Sequence, residues 1–186
     1  MVPLTSLWLP ILLSAVFVFV ASAVIHMVMT YHRSDFRAVP GEGEVMSALR
    51  PFNLSPGDYM MPRGEGPQSM KDPAFIEKMN RGPVAVFTIL PSGPWAMGTQ
   101  LGQWFIYCVV VSLFAAYVAG RTLPPGTPYI VAFRVTSAVA FASYALALWQ
   151  NSIWYKRAWM TTLKSNIDAL AYALLTGGTF GWLWPR

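Results

Sequence analysis

Residues 7–30 read LWLPILLSAVFVFVASAVIHMVMT, from Leu7 to Thr30, without one Asp, Glu, Lys or Arg. A hydrocarbon core about 30 Å thick needs roughly 20 apolar residues, each rising about 1.5 Å along a helix. The run therefore predicts a membrane-crossing helix. Three more stretches downstream read the same way. One runs from Gly102 to Ala119 and is ended by Gly120 and Arg121. The next starts after Pro128 and reaches Trp149, and the last runs from Ile167 to Trp184. Val84 to Leu90 is apolar but too short to cross, and Pro83 and Pro91 bound it.

Composition supports lipid as the solvent. The chain has 186 residues and a mass of 20.6 kDa, with 55% hydrophobic residues and mean hydropathy +0.44. Charged residues make up 11%, against roughly 25% in soluble domains. Positions 32–100 hold 14 of the 21 charges, seven of each sign. Such thin charge excludes an ordinary soluble globule and a disordered chain, and a lone Cys108 excludes a disulfide scaffold. The expected fold is an all-α membrane protein: a four-transmembrane-helix bundle with a small cytoplasmic α+β cap between helices 1 and 2. The expected divisions are 1–31 for the first helix, 32–96 for the insertion and 97–186 for helices 2 to 4.

Ala21-Ser22-Ala23 has the small-x-small form of a signal cleavage site. No Lys or Arg precedes the apolar run, however, and the run continues through Ile25, Val28 and Met29. An uncleaved anchor with an exported N-terminus is expected. Four crossings place the insertion and the connection 150–165 on one side, and both termini with loop 121–127 on the other. Arg33, Arg37, Lys156, Arg157 and Lys164 near the first side outnumber Arg121, Arg186 and Arg134 near the second. Positive charge marks the cytoplasmic side, so the insertion is expected in the cytoplasm and both termini in the periplasm of a bacterial inner membrane. Tryptophan favours the headgroup level. Trp8, Trp182 and Trp184 fall at one expected boundary, and Trp95, Trp104, Trp149, Trp154 and Trp159 at the other.

Local signals give the insertion structure. Asp72 is a suitable N-cap, Pro73 suits the first helical position and Gly82 the stop, so 73–81 reads as a helix. A second helix covers Glu42 to Arg50, ended by Pro51. Asp58 to Met61 and Val84 to Leu90 read as extended segments able to pair around the helix.

Helices in lipid associate through close backbone approach. Ala169, Ala173, Gly177 and Gly181 recur every four residues and predict one flat face on the last helix. Ser112, Ala116 and Gly120 share that spacing on the second, Ala138 and Ala142 on the third. Packing within the monomer is the expected use of these faces, ahead of a dimer interface.

Chemistry-bearing residues are few. His26 and His32 lie near the end of the first span; six residues on a continuous helix turn them about 120° apart, too far to share a metal. His26 is expected to bond a neighbouring helix or the insertion and His32 to be solvated, with no metal site and no cofactor. Arg134, about a turn and a half inside the third span, is expected to snorkel toward the surface beside Trp182 and Trp184. Asp168 follows Lys164 by one turn, which predicts an i,i+4 pair. No nucleotide loop, H-E-x-x-H or G-x-S-x-G motif is present, and no catalytic residue stands out. The net charge of +5 resides outside the neutral insertion, so its expected partners are membrane lipids with anionic headgroups rather than nucleic acid. Membrane-protein partners or a second copy of the chain are the other expected contacts.

The segments Trp8 to Val16, His26-Met27, Trp149 to Arg157 and Gly178 to Trp184 resemble a group of small four-span bacterial inner-membrane proteins of unknown function. The resemblance implies a bacterial source and four spans; it brings no activity, cofactor or catalytic residue. The expected role is a non-catalytic accessory or scaffold subunit. A small transporter would instead line a wet gap with Thr136, Ser137, Ser143, Thr176 and Thr179, and a lipid-modifying enzyme would gather carboxylates from the cap.

Overall fold

Each of the four apolar runs becomes helical. In the computed structural model, which describes residues 1–94 and 96–186, a 3-10 turn at Leu4–Leu7 leads into α1 (Trp8–Ala23), and a single π turn at Val24–Val28 ends it. Pro10 is tolerated in α1 because it lies in the first turn, where its missing N–H has no intrahelical partner to lose. Two short helices of the insertion, α2 (Glu42–Leu49) and α3 (Pro73–Arg81), come next. The remaining helices are α4 (Met97–Thr122), α5 (Tyr129–Ala145), α6 (Trp149–Trp154) and α7 (Trp159–Trp182). A 3-10 turn at Leu146–Leu148 joins α5 to α6.

Three helical stretches are long and apolar enough to cross a membrane: Leu4–Val28, Met97–Thr122 and Tyr129–Trp154. The expected fourth span is not among them. The helix there is 24 residues long, about 36 Å, but it starts at Trp159 rather than Ile167. Its first turns carry Thr161, Thr162, Lys164, Ser165, Asn166 and Asp168, which lower its hydropathy. The expected connection 150–165 shrinks to Tyr155–Ala158, because both flanking helices extend into it.

The chain divides into two compact units, Met1–Arg37 with Ala96–Arg186, and Ala38–Trp95. Trp95, placed at a membrane boundary by sequence, lies outside the described residues. In the first unit α1 packs on α4 and α7, and α5 packs on the same two helices, closing a four-helix ring. Val2 N–H donates to the Gly120 carbonyl at 2.8 Å, Gly126 N–H to the Pro185 carbonyl at 2.8 Å and Trp184 Nε1 to the Pro124 carbonyl at 3.0 Å. These bonds gather both chain ends and the α4–α5 turn at one end of the ring. The core is built from small side chains with a few large ones: Ala15, Cys108, Ala116, Ala140, Ala169 and Ala173 beside Val18, Tyr144, Tyr172 and Phe180. Leu12, Val16, Val20, Ile106, Val110, Phe114, Leu170 and Leu174 point outward and are exposed.

In the second unit β1 (Gly57–Met61) and β2 (Ala85–Ile89) pair antiparallel, with Asp58 opposite Thr88 and Tyr59 opposite Phe87. Thr88 Oγ1 donates to Asp58 Oδ1 at 2.6 Å, and the Tyr59 and Phe87 rings stack at 5.7 Å, the two cross-strand contacts that hold a short ribbon. The segment between the strands includes α3. Asp72 accepts from Ala74 N–H at 3.0 Å, and Gly82 (φ 61°) stops the helix, as local signals predict. No described residue of this unit is buried.

Candidate functional site

The polar residues of the helical unit converge where α1 ends and α7 begins. After the π turn the backbone straightens at Met29 (φ −77°, ψ 137°), and a 3-10 turn follows at Tyr31–Ser34. This break removes the angular rule that keeps His26 and His32 apart on a continuous helix. Their ring centroids are 4.5 Å apart. His26, His32 and Asp168 each present a ligand atom, all within 4.8 Å of one another. The expectation that the two histidines diverge is therefore overturned, and its cause is the unwinding between them. Neither Pro nor Gly lies in 26–32, so no breaker signals the unwinding.

Asp168, on α7, is 4% exposed. The Tyr31 hydroxyl donates to its Oδ1, and His32 Nε2 lies 2.8 Å from its Oδ2. His32 Nδ1 lies 2.7 Å from Asp35 Oδ2. The expected Lys164–Asp168 pair does not form. Lys164 Nζ instead donates to Asp35 Oδ1 at 2.8 Å, to Ser34 Oγ at 2.8 Å and to the Tyr31 carbonyl at 2.5 Å. The segment 31–35 offers Lys164 three acceptors, while both Asp168 oxygens are taken by Tyr31 and His32. His32 is accordingly half-buried and bonded rather than solvated. His26 stays exposed and makes no hydrogen bond among the described residues.

Burial pushes the Asp35 carboxyl up, but hydrogen bonds from His32 and Lys164 outweigh it and hold the group below its ordinary range. Burial and then the bond to Asp168 push the Tyr31 phenol above its ordinary value, so it remains a donor. An open groove of about 490 Å³ flanks this cluster, lined by Phe36, Ala158, Met160 and Thr161 together with Asp35 and Lys164.

Most of the other small residues selected from the sequence sit at helix contacts. A Cβ on Gly177 would overlap Ser137 Oγ and come within 2.9 Å of the Phe133 carbonyl. One on Gly181 would sit 2.8 Å from the Tyr129 ring. Ala169 and Ala173 are buried in the core on the same helix. Gly120 approaches the Val2 carbonyl to within 2.6 Å of its own would-be Cβ. Ser112 accepts a 3.0 Å bond from Ser14 across α1 and α4, and Ala116 is buried. Ala138 and Ala142 face outward. Arg134 is exposed, and no ion pair or cation–π contact joins it to Trp182 or Trp184 among the described residues. Thr136, Ser143, Thr176 and Thr179 each donate to the carbonyl one turn back, whereas Ser137 Oγ is buried without a partner.

No protein-family model matches the chain, and neither a curated protein nor a solved structure does.

Proposed function

We propose that this chain is a four-span inner-membrane protein of bacterial type that acts as a non-catalytic accessory or scaffold subunit. The reading of α7 as the fourth crossing rests on which way its side chains face. Thr161, Thr162, Asp168, Thr176 and Thr179 are buried, while Leu163, Ile167, Leu170, Leu174 and Leu175 are exposed. Average hydropathy penalises this helix for polar groups that lipid never meets. With four crossings, the basic residues Arg33, Arg37, Lys156, Arg157 and Lys164 mark the insertion's side as cytoplasmic and leave both termini periplasmic.

The observation that carries the accessory role is the uncovered state of the inserted unit. A folded segment with two helices and a two-stranded ribbon normally buries at least a small core, because a lone ribbon is marginal in water. Here Met60, Met61, Met70, Ile76, Val84, Val86 and Leu90 are all exposed, and each strand of the ribbon keeps one edge unpaired. Apolar side chains beside an open strand edge suit association with another protein. Purification from native membranes in mild detergent, followed by cross-linking and mass spectrometry, tests the proposal. A membrane protein that co-purifies with the wild-type chain and is lost with Ile76→Asp plus Val86→Asp is the expected result. A clean monomer with nothing attached contradicts it.

A further inference from the structure

We infer that His26, His32 and Asp168 form a binding site for a divalent transition-metal ion, with zinc as the best chemical match. The accessory role neither needs this site nor predicts it. Two imidazoles and one carboxylate are the ligand types zinc takes, at bond lengths of about 2.0–2.2 Å, which place neighbouring ligand atoms roughly 3.4 Å apart in a tetrahedron. The three ligand atoms already lie within 4.8 Å of one another. His32 Nε2 and Asp168 Oδ2, 2.8 Å apart, separate by about half an ångström to admit the ion, and rotation of the exposed His26 ring brings in the third ligand atom.

The surroundings of the three residues strengthen the assignment. A metal-bound histidine typically gives its other ring N–H to a carboxylate. His32 has that arrangement, with Nδ1 at 2.7 Å from Asp35 and Nε2 at 2.8 Å from Asp168. Asp168 is held in turn by the Tyr31 hydroxyl on its other oxygen. Once Nδ1 donates to Asp35, only a second proton on the ring or a metal cation sits favourably between Nε2 and the Asp168 carboxylate. Charge balance favours a cation as well. Lys164 pairs with Asp35, and among the described residues no Lys or Arg pairs with Asp168. Oxygen-loving Mg²⁺ and Ca²⁺ suit this nitrogen-rich set poorly, whereas zinc, cobalt and their neighbours suit it well.

His26 separates the metal site from a plain charge network. In a network of Asp35, His32, Asp168 and Lys164 alone, His26 has no part. The full chain in dodecyl maltoside, stripped with EDTA and titrated calorimetrically with ZnCl₂, is expected to bind one Zn²⁺ with Kd below about 10 µM. His26→Ala is expected to weaken binding at least about tenfold, with the thermal midpoint of the metal-free protein unchanged because His26 makes no bond. Co²⁺ is expected to give visible d–d absorption in the wild type that is altered in the variant. Wild-type binding weaker than this threshold, or a His26→Ala loss smaller than tenfold, overturns the assignment.

Discussion

The helical unit and the inserted unit are built from one chain under opposite rules. The first keeps its polar groups inside and its leucines outside; Asp168 and Thr176 are buried while Leu170 and Leu174 are exposed. The second buries nothing among its described residues, although it holds well-formed caps and a paired ribbon. Good local structure therefore does not guarantee a core. The first unit achieves one through backbone proximity at small residues, and the second forms none among its described residues.

The largest expected effect breaks the helical side of that contrast. Gly177→Leu drives a side chain into Ser137 and the Phe133 backbone, an overpacking at the upper end of the about 1–3 kcal/mol that such insertions cost. Loss of monodisperse protein on fluorescence-detected gel filtration is expected; a normal profile refutes close α5–α7 contact. Asp168→Ala comes next. It removes the acceptor for Tyr31 and His32 and should destabilise by about 3 kcal/mol, as breaking buried charged pairs does. Thermal unfolding in detergent measures this, and an unchanged midpoint shows the cluster to be dispensable.

The smaller effects sharpen the contrast between the units. Asp72→Ala removes one cap bond, worth about 1 kcal/mol. Hydrogen exchange should speed up in the first turn of α3 and stay unchanged in α1, α4, α5 and α7; a change that spreads to those helices contradicts two separately folded units. Ser14→Ala and Ser112→Ala form a double-mutant cycle across α1 and α4. A coupling near 0.6 kcal/mol is expected for such bonds in lipid, and zero coupling shows the 3.0 Å contact to be incidental.

Elements fixed by neighbouring residues were legible in advance. Asp72, Pro73 and Gly82 define α3 at both ends, and the two extended segments pair around it. The lipid-length runs from Leu7, Gly102 and Pro128 appear as helices. The start of α7 was not legible, because Thr161 to Ser165 look like a loop until their partners are known. The candidate site was hidden for a similar reason. Asp168 chooses Tyr31 and His32, more than 130 residues away in sequence, over Lys164 beside it. His26 and His32 meet because the helix unwinds at Met29, where neither Pro nor Gly marks the break in the sequence.

The proposed topology stands or falls on whether α7 crosses the membrane as a fourth helix despite its polar first turns. Reporter fusions at Met1, within the α2–β1 connection and after Arg186, each scored for compartment, test it most directly. Both ends on one side, with the middle reporter on the other, is the result this account predicts. A C-terminal reporter that shares the compartment of the middle one would contradict it.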